Sequence, residues 1–164
     1  GKKMFKYKDR VISPGASWTD DNNITHPANW HIWSAEDKKS HGVTEVVEET
    51  PPDSRLYNWS QNSDGTINKS AKALDDTGSG DNLVRGVRWH LKETVNKQQN
   101  AILSQTDWYV IRKADKGTAI PDAVQAHRDS IRSKGDAMKA SIDDASDTNA
   151  VAILLPQLFN WYDK

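Results

Sequence analysis

Residues 101–121 read AILSQTDWYVIRKADKGTAIP, and the rest of the chain is organised around this stretch. Thr106 and Asp107 are residue types that begin helices, because their short polar side chains can bond to free backbone N–H groups. Gly117 can end such a helix in the left-handed conformation, and Pro121 suits the first turn of the next helix. The stretch therefore predicts a corner with a short helix of its own between two longer helices.

The segments on either side of this corner predict two long helices, from residue 81 to about 104 and from 121 to about 145. Their apolar residues form narrow stripes, each too thin to stabilise a helix alone. The stripes predict a helical hairpin, or helices that pack on copies of themselves. The residues expected to provide packing or interfaces in this half of the chain are Val84, Leu91, Val95, Ile102, Trp108, Ile111, Val124, Ile131, Met138, Leu158, Phe159 and Trp161.

The N-terminal part shows short strand patterns punctuated by turn residues. A strand is expected over residues 2–12 with a return over 16–19, a polar hairpin tip at 20–23, and a short helix capped by Ser34. Two further strands are expected on either side of the tight turn at residues 62–65, which contains Asp-Gly. The whole chain is thus predicted to be α+β. Its parts are a small β-rich N-terminal module (residues 1–76), a linker (77–82), and an α-helical hairpin with an apolar C-terminal tail (83–164).

Composition excludes several classes of function. The sequence has no cysteine, which rules out disulfides, thiolate chemistry and cysteine zinc sites. The formal net charge of −1 gives no overall field that attracts nucleic acid or an anionic membrane. No apolar run is long enough to span a bilayer, so membrane insertion is not expected.

No set of residues with catalytic spacing is found. The five histidines do not have the spacing of metal ligands, and the adjacent acidic pairs cannot flank a substrate as a hydrolase requires. We therefore expect no catalytic, cofactor or metal site, and no enzyme activity. One binding alternative stays open, in which four tryptophans of the N-terminal module stack on sugars instead of forming its core. These are Trp18, Trp30, Trp33 and Trp59.

The corner and its surroundings also resemble a known group of proteins. The run T-D-W-Y-V-I-R from residue 106, followed by G-T-A-I-P from 117, by His127-Arg128 and by Ile131-Arg132, is similar to the C-terminal segment of small tailed-bacteriophage proteins. That pattern has a Tyr where this chain has His127, and it does not continue after Ala145. Upstream pieces between residues 42 and 76 match more loosely.

The resemblance implies a structural component of a phage virion, associated with the tail, tail fibre or baseplate. Such a protein works by binding other phage tail or virion proteins, and a homo-oligomer, either a trimer or a ring, is expected. Its location would be the virion, assembled in the host cytoplasm. The alternatives are a tail-fibre assembly chaperone that is absent from the finished particle, and the tryptophan-lined carbohydrate-binding receptor module described above.

Overall fold

The computed structural model describes residues 1–162, which form a mixed α+β fold, as predicted. About 47% of the chain is helical and 18% is strand, so both classes of element contribute substantially. The strands are β1 (Lys3–Tyr7), β2 (Arg10–Ile12), β3 (Trp18–Thr19), β4 (Thr25–His26), β5 (Val43–Val47), β6 (Tyr57–Gln61) and β7 (Ile67–Ala71). The helices are α1 (Ala35–Ser40), α2 (Val87–Ser104), α3 (Asp107–Lys116), α4 (Asp122–Asp144) and α5 (Thr148–Leu158).

The chain divides into two compact units, Gly1–Ser70 and Ala71–Lys164. Sequence reasoning placed the boundary later, after residue 76, with a flexible linker over 77–82. In the structure those residues belong to the second unit, where Thr77 and Val84 pair in an antiparallel bridge. Their backbone N–H groups each donate to the other's carbonyl, at 2.9 and 2.7 Å. Val84, expected on a helical seam, is 63% exposed, because it lies in this bridge before the helix begins.

The first unit contains a three-stranded antiparallel sheet in the order β2–β1–β5. The sequence predicted one strand over residues 2–12, but the chain turns back at Lys8, whose φ is 53°, and makes a hairpin instead. Residues 16–19 therefore do not return along that strand. The short strand β3 pairs with β4 around the polar tip at residues 20–23, which was predicted.

Aromatic side chains fill the core of this unit. The Trp30 side chain is completely buried, and its indole N–H donates to the Ala16 carbonyl oxygen at 2.8 Å. Its ring meets that of Phe5 edge to face at 5.2 Å between centroids, a favourable arrangement for two π systems. The buried cluster consists of Phe5, Tyr7, Ile12, Trp18, Trp30 and Val43.

The local signals for α1 and the β6–β7 hairpin act as predicted. The Ser34 hydroxyl accepts the Asp37 N–H at 3.0 Å and caps α1. In the hairpin turn Gly65 has a φ of 82°, and a Cβ there would lie 2.7 Å from the Met4 sulfur. Glycine is required at this turn by both its conformation and its close approach to β1.

In the second unit α2 and α4 pack against each other. Helix α2 begins at Val87, not at residue 81 as predicted, because the backbone before it is extended at Gly86. Its facing side chains are buried together with those of α4, which confirms the central part of each predicted stripe. The buried residues are Val87, Leu91, Val95, Ile131, Met138 and Ile142.

One arginine from each of these helices binds the last carbonyl groups of the other. Arg88, in the first turn of α2, donates to the carbonyl oxygens of Ile142 and Ala145 at 3.3 and 2.5 Å. Arg128, near the start of α4, donates to the Leu103 carbonyl oxygen at 2.8 Å. The helices are therefore antiparallel, and each guanidinium lies at the C-terminal end of the other helix, where a positive charge is favourable.

The last described segment contains α5, which begins shortly after the predicted end of the second long helix at about residue 145. The Asp147 carboxylate accepts the Ala150 N–H at 2.7 Å and caps the helix. Beyond α5 the Trp161 side chain is buried, and its indole N–H donates to the Gln98 side-chain oxygen at 2.7 Å. Ile153 in α5 is by contrast 80% exposed.

Candidate functional site

The corner between α2 and α4 is held by the buried side chain of Arg128. One guanidinium nitrogen donates to the Leu103 carbonyl oxygen at 2.8 Å and to the Thr106 hydroxyl oxygen at 2.7 Å. The other donates to the Asp107 carboxylate at 2.9 Å. Arg128 is only 5% exposed, whereas its partner Asp107 is half exposed, and this single side chain joins the end of α2 to the start of α3. It fixes the direction in which α3 leaves the helix pair.

The ends of α3 follow the predicted signals with one difference. Thr106 precedes the helix, but its hydroxyl does not cap it; the hydroxyl donates to the Leu103 carbonyl oxygen at 3.2 Å and accepts from Arg128. With a φ of −118° and a ψ of 7°, Thr106 also lacks the extended backbone conformation that is usual for a capping residue. Gly117 ends the helix with a φ of 70°, as predicted, and its N–H donates to the Lys113 carbonyl oxygen at 2.9 Å.

Two aromatic rings and an arginine form a stack on α3. The Trp108 and Tyr109 rings lie 3.7 Å apart between centroids, at an interplanar angle of 29°. The Arg112 guanidinium lies 4.8 Å from the Trp108 centroid and 5.3 Å from that of Tyr109. Cation–π attraction at these distances restricts the rotamers of all three side chains.

The apolar side chains of α3 face outward. Trp108 is 50% exposed, Val110 41% and Ile111 67%. Trp108 and Ile111 were expected to pack the corner, but within the described chain they do not, because Tyr109 and Arg112 take the half-buried side of the helix. We call Trp108, Val110 and Ile111 together the α3 surface.

The charged groups beside the α3 surface are mostly cationic. Arg112, Lys113 and Lys116 make no ion pair with any residue from 1 to 162. The Arg112 Nε atom is also buried without a hydrogen-bond partner in the described part of the chain. On the acidic side, Asp107 is engaged by Arg128, which leaves Asp115 as the carboxylate of α3 without a cation partner among these residues.

The other residues that were expected to pack fall into two groups, one partly covered and one buried. Ile102, Val124 and Phe159 are only partly covered, since they lie near the ends of their helices. Leu91, Val95, Ile131, Met138, Leu158 and Trp161 are buried within the chain and are core residues of their unit.

The four tryptophans of the N-terminal module do not make one sugar-stacking platform. Trp18 and Trp30 are buried core residues, and Trp33 is partly buried against the same cluster. Only Trp59 of the four presents much of its surface, beside a shallow polar groove in the β6–β7 hairpin. Burial of the aromatic faces leaves no room for a sugar ring to stack on Trp18 or Trp30, so the four side chains do not act as one set.

The most enclosed pair of titratable groups in the first unit is Asp20 with His26. Their side chains contact at 3.0 Å between Oδ2 and Nε2, and His26 is buried among Trp18, Trp33 and His41. Backbone N–H donation from Ile24 is the main cause that holds the pKa of Asp20 below its ordinary range. These contacts close the β3–β4 turn, so the pair has a structural role.

The described residues contain neither a metal-binding cluster nor a membrane-spanning helix. Within residues 1–162 there is no group of three histidine, aspartate or glutamate side chains arranged to hold a metal ion. None of the helices in that range combines the length and apolarity required to cross a bilayer. Comparison of the chain with protein-family models, with curated proteins and with solved structures found no match.

Sequence reasoning identified the corner but missed what holds it. The role of Arg128 depends on an approach between residues more than twenty positions apart, which neither propensity nor periodicity reports. One feature of the sequence did include the residues that form this contact. The pattern that resembles phage proteins includes Thr106, Asp107 and Arg128, the side chains that bond to one another at the corner.

Proposed function

We propose that this protein is a structural component of a tailed-phage virion, associated with the tail, tail fibre or baseplate, and that it acts by binding other phage proteins. The observation that carries the proposal is the α3 surface, where three apolar side chains are held outward on a fixed helix. The resemblance of the same stretch to small phage proteins supports the identity of the particle.

The composition of the α3 region favours a protein-binding role. Tryptophan, tyrosine and arginine are the residue types that most often dominate the binding energy of an interface. Trp108, Tyr109 and Arg112 occur here in one stack, adjacent to the exposed Ile111. Because Arg128 fixes the helix and Arg112 restricts the rings, little conformational entropy remains to be lost when a partner binds.

The proposal includes no catalytic step. The best-placed acid–base pair, Asp20 and His26, is buried and closes a turn, and the sequence supplies no activated nucleophile. In the particle the protein would form a homo-oligomer, either a trimer or a ring, and it would be incorporated in the host cytoplasm during assembly.

Mass spectrometry of purified, intact phage particles tests the proposal. Stoichiometric peptides from this chain are expected, and their copy number reports the symmetry of the oligomer. If the chain is present in infected lysate but absent from particles, the proposal is wrong and the assembly-chaperone alternative is favoured.

A phage carrying Ile111→Asp tests whether the α3 surface is the binding surface. A buried charge in an apolar contact is strongly unfavourable, so particles should lose this protein or fail to assemble. Ile153→Asp is the matched control, since it places the same charge on another highly exposed isoleucine. Aspartate at Leu91 or Ile131 would be uninformative, because both side chains are buried in the core.

A further inference from the structure

Arg112 is an arginine whose hydrogen-bonding capacity is unused. A guanidinium has five N–H donors, and buried donors are nearly always paired. Here the Nε atom is buried without a partner, and Arg112 has no ion pair or hydrogen bond with the residues that the structure describes. Stacking on Trp108 and Tyr109 keeps the planar group in place. The aromatic rings therefore hold the Arg112 side chain in place, although no hydrogen-bond acceptor in the described chain binds it.

The surroundings of Arg112 define what kind of acceptor would fit. Trp108, Ile111 and Asp115 are spaced i, i+3 and i+7 and lie along the exposed side of α3. Arg112, at i+4 from Trp108, lies where this side meets the half-buried side. No ion pair forms between Arg112 and Asp115, and Lys116 adds a further cation at the end of the helix. This side of the helix thus combines an exposed apolar pair with positive charge that the described chain does not neutralise.

We propose that the α3 surface binds an acidic, apolar segment of a partner protein, with a carboxylate of that segment on Nη1 and Nη2 of Arg112, the two guanidinium nitrogens that are not among the buried, unpartnered atoms. Its apolar side chains cover Trp108 and Ile111, and a further carboxylate lies near Lys116, one turn after Arg112. Carboxylates match a planar guanidinium in bidentate geometry, and such charge-assisted bonds are among the strong ones. The inference rests on the proposed function and specifies the chemistry of the partner.

A second copy of the same surface fits this site less well. Each α3 has one acidic group without a partner in the described chain, Asp115, against the cations Arg112, Lys113 and Lys116. Two copies brought together would therefore leave most of the cations unpaired and opposed, and juxtaposed like charges disfavour association. An acidic partner instead supplies the missing acceptor for Arg112 and a counter-ion for Lys116. Charge complementarity therefore selects a different protein segment.

Two fluorescein-labelled helical peptides serve as probes. They share one stripe of leucines, which is flanked by glutamates in the first peptide and by glutamines at the same positions in the second. Each is titrated against the full chain and followed by fluorescence anisotropy at low and high salt. The glutamate peptide should bind about tenfold more tightly than the glutamine peptide at low salt, and the preference should shrink at high salt.

Variants assign the preference to the proposed contacts. Arg112→Gln should bring the two peptides to nearly equal affinity, and Ile111→Asp should weaken both. Asp115→Asn is the control on the same side of the helix and should retain or increase the preference for glutamate. Circular dichroism of each variant establishes that it is folded, which is expected because Ile111 and Asp115 are exposed.

Three outcomes would overturn the inference. The first is no binding of the glutamate peptide up to about 1 mM, the concentration range of very weak contacts. The second is equal binding of the two peptides, or a glutamate preference that survives Arg112→Gln. The third is self-association of the chain in sedimentation that Ile111→Asp abolishes, which would make a second copy the occupant.

The particle experiments separate this inference from the proposed function. If Ile111→Asp prevents incorporation but the peptides show no acidic preference, the virion role stands and the acidic partner does not. If the preference is found but particles lack the chain, the surface chemistry stands and the virion role does not.

Discussion

At the scale of single residues, Arg128 shows how one buried side chain can determine the direction of an element. Its guanidinium bonds to a carbonyl oxygen, a hydroxyl and a carboxylate, which come from Leu103, Thr106 and Asp107. These groups are consecutive or nearly so in the chain, and Arg128 is on a different helix. The corner is thus specified by one long-range contact together with local helix signals.

Replacing Arg128 with methionine should destabilise the second unit by about 2–3 kcal/mol, because the Leu103 carbonyl and the Thr106 hydroxyl lose a charged donor in a buried place. Asp107 is half exposed and remains solvated, which keeps the loss below that for a fully buried ion pair. Urea denaturation measures the change. Arg132→Met, which removes an exposed arginine of the same helix, should change stability by less than about 0.5 kcal/mol. Equal effects of the two substitutions would refute the role given to Arg128.

Asp64 provides a prediction about pH. The Thr66 hydroxyl and N–H donate to its carboxylate, and with the ion pair to Lys6 they lower the pKa of Asp64 from 3.8 to about 2. A carboxyl group whose pKa is lower in the folded state stabilises the fold above its unfolded pKa. That contribution is lost as the pH falls from about 4 to about 2.

Asp64→Asn removes this titration. The difference in unfolding free energy between the wild type and the variant should be larger at pH 6 than at pH 2, as measured by urea denaturation at each pH. Asp81→Asn controls for the removal of an exposed negative charge in the other unit. A difference that is the same at both pH values would contradict the assignment.

At the scale of elements, helix termini were the most predictable features. Ser34 and Gly117 act at the ends of α1 and α3 through local geometry, which sequence alone carries. The start of α2 was predicted too early, because Thr77 and Val84 pair in a β-bridge and the chain before Val87 is therefore not helical. The outward orientation of α3 was likewise not predictable, because amphipathic spacing does not say whether an apolar face meets the core or solvent.

Gly117 allows a test of the left-handed helix end. A Cβ at this position meets nothing within 4 Å, so a substitution is disfavoured by its backbone conformation alone. Gly117→Ala should destabilise the fold by about 1–2 kcal/mol, whereas Gly117→Asn should be milder because asparagine adopts this conformation more readily. Thermal unfolding of both variants provides the measurement. If alanine is tolerated as well as asparagine, the φ of 70° is not required in solution.

Two isoleucines on neighbouring helices separate the core from the candidate binding surface. Ile131 in α4 is 1% exposed, so Ile131→Ala should destabilise the fold by about 2–5 kcal/mol through lost burial and a residual cavity. Ile111→Ala removes the same atoms from the α3 surface and should change stability by less than about 0.5 kcal/mol. Chemical denaturation gives both values. A large effect at Ile111 would show that α3 packs within the chain and would remove the basis for the proposed interface.

At the scale of the whole molecule, each of the two units has its own buried side chains. The first unit is centred on aromatic residues, which compensate for the few aliphatic side chains in its short strands. The second is centred on aliphatic residues between α2 and α4, whose ends are joined by Arg88 and Arg128. The sequence predicted a β-rich part followed by a helical part. It placed the boundary a few residues late, because residues 77–82 have the composition of a linker although they belong to the second unit.

Separate cores predict separate local stabilities, which two matched substitutions can measure by amide hydrogen exchange. Val43 and Val95 are 3% and 0% exposed, one in each unit. Replacing either with alanine should destabilise its own unit by about 2 kcal/mol, which speeds exchange of the slowest amides there roughly thirtyfold. Val43→Ala should act on the amides of β1 and β5, and Val95→Ala on those of α2 and α4. The unsubstituted unit serves as the internal reference in each experiment, since its own core is intact. If either substitution accelerated both sets of amides equally, the chain would unfold as one cooperative body and the two cores would not be independent.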